Sequence, residues 1–383
     1  MSRPGGEGSA QSPGGPSLDG SPVPLGSTAA HEPTPTPRGV RARWKSLAQQ
    51  INKINENKHL GTNGRETNKT ASRPLPMIDY VEVELGGSKA SARLADVTFV
   101  VGTGKSAFLE VLYAVLSSVG RRLPRLRGRW GFRVQADDVS YSVSAVRSRV
   151  RQVVRVGSDE VVFEYLPPRP AHRLVKPIEM AIDAADVVIP EVRTKEHVAA
   201  IAEEDIERLN SMLALARRKL GVKTLMLGPY VAPRSLAEAG KPADRLDRHA
   251  RNLPAVLAYL SLNRPPAYDE IRARLRKLGI VLSVGLTRFG SVGAALYIRG
   301  AKIPLSKAPC SAKSLLAIAA ALQLKPDLLI VDNFDYCMTR GTAGVLSELL
   351  RQRPTTKLVV EIHSEEVAEW LDVQNKSVVE VRL

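Results

Sequence analysis

A short run of glycines followed by Lys-Ser is the part of this sequence best suited to chemistry. The run consists of Gly102, Thr103, Gly104, Lys105, Ser106 and Ala107. A β-branched, apolar stretch precedes it and a helix-like stretch follows it, which is the context of a phosphate-binding loop. Backbone N–H groups of such a loop point at phosphate oxygens, and the N-terminus of the following helix favours anions. All six residues are therefore predicted to bind a nucleotide, with Lys105 on the terminal phosphates and Ser106 on Mg²⁺.

This loop is shorter than the usual motif, in which a glycine and four further residues precede Gly-Lys-Ser/Thr. The first glycine of that motif falls here on Phe99, so about three loop residues are missing. Gly-Lys-Ser alone also occurs often by chance. The alternative interpretation is a remnant that no longer binds phosphate.

The composition is that of a globular protein with an excess of basic residues. The chain has 383 residues, of which 44% are hydrophobic and 25% are charged, and this suits one large or two medium domains. The net charge of +16 favours polyanions such as DNA through counterion release, although general solubility is an equally simple explanation. No stretch approaches the ~18 apolar residues of a membrane span, so no membrane partner is expected.

The cysteines and the N-terminus predict a cytoplasmic protein. Cys310 and Cys337 are the two cysteines, and we interpret them as small core or loop residues without a disulfide framework. The first residues lack the apolar core of a secretory signal.

The N-terminal part of the chain is predicted to be a tail followed by two strands. Residues 1–75 are rich in Gly, Pro and Ser and then in basic residues, and such a segment buries too little apolar surface to fold. We therefore predict a disordered tail over 1–75 and a folded domain over 76–383. Alternation predicts a strand over 78–85, and a more buried strand over 92–101 leads into the glycine segment.

The middle of the chain predicts an antiparallel β lobe and then a helical insertion. Period-two alternation from 130 to 165 predicts hairpin strands at 139–143, 150–156 and 161–165. Residues 190–275 are predicted to form a helical insertion lobe, with its first helix over 190–221 and a second beginning at Asp247.

The last part of the chain has the pattern of a parallel α/β structure. A helix over 314–324, a buried strand ending at Asp332, a helix over 342–351 and a buried strand before His363 follow one another. Helices alternating with strands that are buried on both faces are typical of a parallel sheet.

Taken in this order, the segments resemble the RecF/SMC-like branch of the ABC-type ATPases, over residues 76–383. The glycine segment is similar to the Walker A loop of that family. Residues 328–332 are similar to its Walker B strand, and His363 matches its switch histidine. The long interval between the two motifs suits the family's inserted lobe. The resemblance implies an α/β P-loop NTPase core with an antiparallel β lobe and a helical insertion.

The same resemblance implies roles for individual residues. Lys105 and backbone amides would hold the β- and γ-phosphates of ATP, Ser106 and Asp332 would hold Mg²⁺, and His363 would sense the γ-phosphate. Family members hydrolyse ATP as head-to-tail dimers, which implies a nucleotide-dependent homodimer. The family and the charge together make DNA a further partner. His363 could instead be a structural histidine.

Three positions depart from the family pattern. The glycine loop is short, and the Ser-Gly pair of the family's signature falls on Cys310-Ser311. The glutamate that normally follows the Walker B aspartate is Asn333, and an amide cannot accept the proton of an attacking water, so general-base help of about 10²–10⁴-fold would be lost. Asp335 is either a substitute base or a carboxylate that turns the loop.

The sequence therefore predicts a protein that binds ATP with Mg²⁺ and hydrolyses it slowly, coupled to dimerisation and to DNA repair or maintenance. The alternative is a non-hydrolysing scaffold of the same fold. A third reading is a basic nucleic-acid-binding module with a vestigial loop.

Overall fold

Three β-sheets and seven α-helices make up the part of the chain that the computed structural model describes. The described residues are 78–147, 149–165, 172–176, 180–182, 187–192, 203–238, 243–352 and 355–383. The predicted tail over 1–75 lies outside them. The mixed α/β class predicted from the sequence is confirmed.

The strands and helices are numbered in chain order. The strands are β1 (Tyr80–Leu85), β2 (Ser88–Arg93), β3 (Val97–Thr103), β4 (Trp130–Ala136), β5 (Val139–Val146), β6 (Arg149–Val156), β7 (Asp159–Tyr165), β8 (His172–Lys176), β9 (Met180–Ile182), β10 (Thr224–Leu227), β11 (Leu236–Glu238), β12 (Ile280–Leu286), β13 (Ser291–Ile298), β14 (Ala301–Pro304), β15 (Leu328–Val331), β16 (Lys357–Glu361) and β17 (Lys376–Arg382). The helices are α1 (Lys105–Leu116), α2 (Glu203–Leu220), α3 (Leu253–Asn263), α4 (Pro265–Arg276), α5 (Cys310–Gln323), α6 (Arg340–Arg351) and α7 (Glu366–Trp370). Two 3₁₀ helices span Leu305–Lys307 and Phe334–Cys337.

The central element is a five-stranded parallel sheet with the order β10-β15-β16-β3-β17. Its two faces belong to two cores: Phe99 packs with α3 to α6, whereas its neighbour Val100 packs with α1 and the antiparallel lobe. Burial on both faces explains the continuous apolar run of β15. Because the strands are parallel, the residues that follow β3, β15 and β16 meet at one edge, where α/β proteins commonly bind ligands.

Strands β1 and β2, which come before α1 in the sequence, and β4 to β9, which come after it, form an eight-stranded antiparallel sheet. Its strand order is β2-β1-β4-β5-β6-β7-β8-β9. The hairpins predicted between 130 and 165 are confirmed. The single strand predicted over 92–101 is wrong, because the structure divides it into the end of β2 and the start of β3. Backbone bonding explains the break: Leu94 N donates to Asp79 O, and Ala95 N donates to Thr98 Oγ1.

Residues 190–275 contain helices and strands. α2, α3 and α4 lie here, but β10 joins the central sheet beside β15, and β11 pairs with β13 in the third sheet together with β12 and β14. α3 begins at Leu253, six residues later than the helix predicted from Asp247. The Asp247 carboxylate accepts the backbone N–H groups of His249, Arg251 and Asn252, and these bonds hold the segment in a turn.

No helix among the described residues is long and apolar enough to cross a membrane.

Candidate functional site

The glycine segment continues β3 as a strand. β17 pairs with β3 as far as Thr103, and Leu383 N donates to Thr103 O over 3.2 Å. Gly102 has a φ of 99°, and a side chain there would collide with the Val381 carbonyl oxygen. The backbone of Gly102 and Thr103 is therefore engaged by β17, which leaves a smaller concave backbone surface than a full phosphate-binding loop provides.

Gly104 makes the turn from β3 into α1. Its φ of 73° is left-handed, and a Cβ there would lie 2.7 Å from Leu383 Cβ, so a glycine is required. No side chain caps the start of α1. The N–H groups of its first turn, which includes Ser106 and Ala107, have no partner within the helix, and the helix dipole makes this end favourable for an anion.

The Ser106 hydroxyl lies between two buried carboxyl groups. Ser106 Oγ is 3.2 Å from Asp332 Oδ1 and 2.9 Å from Glu361 Oε2. Asp332 follows β15 and Glu361 ends β16, and these residues are only 3% and 5% exposed. A hydroxyl has a single proton to donate, so it bonds to one carboxyl group at a time.

The pKa values of the two carboxyl groups are shifted in opposite directions. Burial, followed by the hydrogen bond and negative charge of Glu361, raises the pKa of Asp332 to about 7. Burial also acts to raise the pKa of Glu361, but hydrogen bonds from Asp332 and Ser106 and the charge of Lys105 hold this pKa below its ordinary value. In mildly acidic solution below about pH 7, therefore, Asp332 carries the proton and Glu361 carries the negative charge.

Two cations contact this acidic pair. Lys105 Nζ lies 3.6 Å from Glu361 Oε1 and donates to the Gly102 carbonyl over 3.0 Å. Arg248, in the turn before α3, pairs with Glu110 of α1 and lies 3.7 Å from Asp332 Oδ2. The site therefore combines a lysine, an arginine, a hydroxyl and two carboxyl groups at the carboxyl edge of the parallel sheet.

His363 lies at the rim of this group and is held by Asp335. Its backbone N–H donates to Asp335 Oδ2 over 2.6 Å, and its Nδ1 is 2.9 Å from Asp335 Oδ1. His363 Nε2 is 3.9 Å from Glu361 Oε1. Asn333 has a φ of 56° and donates from Nδ2 to the Pro229 carbonyl over 3.3 Å. The Asn333 amide thus faces the loop after β10, and Asp335 positions the histidine.

Cys310 and Cys337 form a disulfide, and the prediction of two separate cysteines was wrong. Their Cα atoms are 5.4 Å apart, within the usual range for a bridge. The bond joins the first residue of α5 to the end of the 3₁₀ helix that contains Asp335. The two residues are 27 positions apart, and their proximity arises only when α5 packs beside the 3₁₀ helix Phe334–Cys337. Spacing in the sequence therefore gave no signal of it.

The structure brings together Lys105, Ser106, Asp332 and His363 from the residues singled out in the sequence. Glu361, Arg248 and Glu110 were missed. Glu361 had a readable signal, because it is an acid at the end of a buried apolar strand, as Asp332 is at the end of β15. Arg248 had none, since its loop reaches the site only through the fold.

The donor set fits Mg²⁺ together with a phosphate group. Ser106 Oγ and a carboxylate oxygen of Asp332 are the hard oxygen ligands that Mg²⁺ prefers, and this ion commonly takes only one or two carboxylates plus phosphate oxygens. In the part of the chain that the structure describes, no group of three or more His, Cys, Asp or Glu could hold a metal ion. Lys105 and the first turn of α1 supply the positive side that a phosphate requires.

Comparisons with known proteins give only remote structural likeness. No protein-family model matches the sequence, and no curated protein matches it. A solved structure of an SMC head bound to the C-winged helix domain of ScpA is 12% identical, with a TM-score of 0.43, over 80% of this chain and 94% of that one. The SMC head domain from Thermotoga maritima is 15% identical, with a TM-score of 0.36, over 80% and 94%. An SMC head with an extended coiled coil, bound to the C-terminal domain of ScpA derived from Pyrococcus furiosus, is 10% identical, with a TM-score of 0.35, over 77% and 92%.

Proposed function

We propose that this chain binds ATP with Mg²⁺ at the edge formed by the ends of β3, β15 and β16. The observation that carries the proposal is the position of Ser106 Oγ, which contacts both Asp332 and Glu361 and adjoins Lys105. These groups come from three separate parts of the sequence. Their convergence beside an uncapped helix N-terminus is what a phosphate and its cation need.

Each residue has a role that its contacts allow. The N–H groups of the first turn of α1, which the turn at Gly104 aims, bind the β-phosphate, and Lys105 reaches the γ-phosphate. Ser106 and Asp332 provide the oxygen ligands for Mg²⁺, which neutralises phosphate charge when it is bound. His363 is oriented toward the site by Asp335 and is the residue placed to contact the terminal phosphate.

Hydrolysis in this proposal is slow. Asn333 stands where the related ATPases carry a glutamate, its amide cannot act as a base, and it is bonded to the Pro229 carbonyl. The Asp335 carboxylate is already bonded to His363, so it does not replace the missing base. This arrangement also favours the second candidate function, a nucleotide-binding scaffold without turnover.

Dimerisation and DNA contact are further parts of the proposal. The resemblance to head-to-tail ATPases supports a nucleotide-dependent homodimer. Tyr230 and Tyr336 are 61% and 66% exposed beside Asn333, and their rings contact each other edge to face at 5.9 Å, which provides an aromatic surface for a second copy. Arginines on the open face of the antiparallel sheet support DNA binding in repair or maintenance.

Equilibrium titration with Mg²⁺-ATP tests nucleotide binding. We expect Lys105→Ala to weaken binding at least tenfold, because it removes the lysine that lies against Glu361 at the site. The matched control is Lys89→Ala, in an exposed lysine on β2, which should bind like the wild type. Equal affinity in the wild type and Lys105→Ala would contradict the proposal.

Steady-state phosphate release tests turnover. If only the missing base limits hydrolysis, Asn333→Glu should raise the rate by about 10²-fold or more. An unchanged rate, with nucleotide binding intact, would favour the scaffold without turnover.

A further inference from the structure

Glu361 makes the contacts that a terminal phosphate would otherwise make. In phosphate-binding loops the lysine reaches the terminal phosphates, and the following serine binds the Mg²⁺ that these phosphates share. Here both groups contact one carboxylate: Ser106 Oγ is 2.9 Å from Glu361 Oε2, and Lys105 Nζ is 3.6 Å from Glu361 Oε1. A carboxylate offers two negatively charged oxygens, as the edge of a phosphate does.

The backbone holds this carboxylate in place. Glu361 pairs with Val100 of β3, and Ile362 N donates to the Val100 carbonyl over 3.0 Å. Glu361 is 5% exposed, so its charge is little screened by water and would strongly repel a second anion beside it. A phosphate can approach Lys105 and Ser106 closely only when the Glu361 side chain leaves them.

We propose that Glu361 is an internal competitor for the terminal phosphate, so that the chain discriminates against nucleoside triphosphates in favour of diphosphates. This inference rests on the proposed nucleotide site and adds its specificity. Without a ligand, Glu361 accepts the hydrogen bond of Ser106 and pairs with the Lys105 ammonium group. A diphosphate held by the N–H groups of the first turn of α1 leaves the contact between Lys105 and Glu361 intact, whereas the third phosphate of a triphosphate must break it.

The neighbouring residues make the effect specific to Glu361. Glu110 is a second acid near the site, but its partner is Arg248 and not Lys105 or Ser106. Removing the charge of Glu110 changes the electrostatic potential at this edge of the parallel sheet. It does not free Lys105 or Ser106 from Glu361. Glu110→Gln is therefore a matched control for Glu361→Gln.

The test is a titration of ATP and of ADP, each with Mg²⁺, into the wild type, Glu361→Gln and Glu110→Gln. We expect the wild type to bind ADP at least as tightly as ATP. Glu361→Gln should bind ATP tenfold or more tightly than the wild type, with ADP affinity changed by less than threefold. Glu110→Gln should keep the wild-type ratio of the two affinities.

Two results would overturn the inference and leave the proposed function standing. One is a wild type that binds ATP tenfold or more tightly than ADP. The other is a folded Glu361→Gln variant, checked by circular dichroism, whose ATP affinity is within twofold of the wild type. If this variant does not fold, the wild-type ratio decides alone. Failure of both the wild type and Glu361→Gln to bind either nucleotide would overturn the proposed function itself.

Discussion

Ser106 and Glu361 are 255 residues apart in the sequence, yet the Ser106 hydroxyl donates to the Glu361 carboxylate over 2.9 Å. The contact joins the first turn of α1 to the end of β16. It exists because β16 lies between β3 and β15 in the central sheet, so the ends of all three strands face one small volume. Asp332 reaches the same hydroxyl from β15.

The raised pKa of Asp332 predicts a pH-dependent stability. Between its ordinary value of 3.8 and about 7, the folded protein keeps a proton that the unfolded chain has lost. The free energy of unfolding should therefore fall as pH rises through this window, by at most about 1.4 kcal/mol per pH unit from this group. Asp332→Asn removes the titration, so its stability relative to the wild type should increase from pH 5 to pH 8.

Chemical denaturation at pH 5, 6.5 and 8 measures this difference. Asp269→Asn, in an exposed acid of α4 that pairs with Arg272, is the control and should show a constant offset. A constant offset for Asp332→Asn as well would show that Asp332 titrates as an ordinary carboxylate.

The disulfide predicts a protein without free thiols. When the chain is purified without reductant and unfolded, thiol titration should detect no reactive cysteine, and reduction should release two. Because the bridge closes a loop of 27 positions, Cys337→Ser should lower the free energy of unfolding by about 3–4 kcal/mol. The double variant Cys310→Ser/Cys337→Ser should not respond to reductant. Two reactive thiols before reduction would exclude the bridge.

The open face of the antiparallel sheet predicts a salt-dependent interaction with duplex DNA. Arg133 of β4 and Arg151 of β6 are exposed on the same face, about 12 Å apart across β5 and two residues along it. In the described part of the chain neither has an ion-pair partner, whereas Arg149 and Arg155 are paired with glutamates of β7. If both contact phosphates, replacing them with alanine should reduce the slope of log affinity against log salt by roughly 2.

Binding titrations at several salt concentrations would measure this slope. Arg276→Ala/Arg299→Ala removes the same charge from exposed positions elsewhere and serves as the control. Equal slopes for the two double variants would assign the effect to net charge and not to this face.

Much of the parallel sheet could be predicted from the sequence, because a strand that is buried on both faces appears in the sequence as a continuous apolar run. Residues 328–331 and 358–360 are such runs, and Asp332 and His363, which follow the two strands, indicated the candidate site. The hairpin strands between 130 and 165 could also be predicted, since buried residues alternate with more exposed ones in β5 and in the middle of β6.

The remaining features depend on long-range pairing that no local pattern encodes. β17 mixes polar and apolar residues, and nothing in it shows that it extends along β3 over the glycine segment. β10 lies within a region of helical character and was not recognised as a strand of the core. Glu361 has the sequence signal of an acid at the end of a buried strand, but its contact with Ser106 follows only from the pairing of β16 with β3.

The most direct test of the central claim is to place Mn²⁺, a paramagnetic substitute for Mg²⁺, in the site and record pulsed electron paramagnetic resonance with a non-hydrolysable ATP analogue. The account predicts one Mn²⁺ per chain that depends on the nucleotide and shows ³¹P coupling. It also predicts the loss of this signal in Ser106→Ala and Asp332→Asn but not in Asp269→Asn. A ³¹P-coupled Mn²⁺ signal that persists unchanged in Ser106→Ala and Asp332→Asn would contradict it.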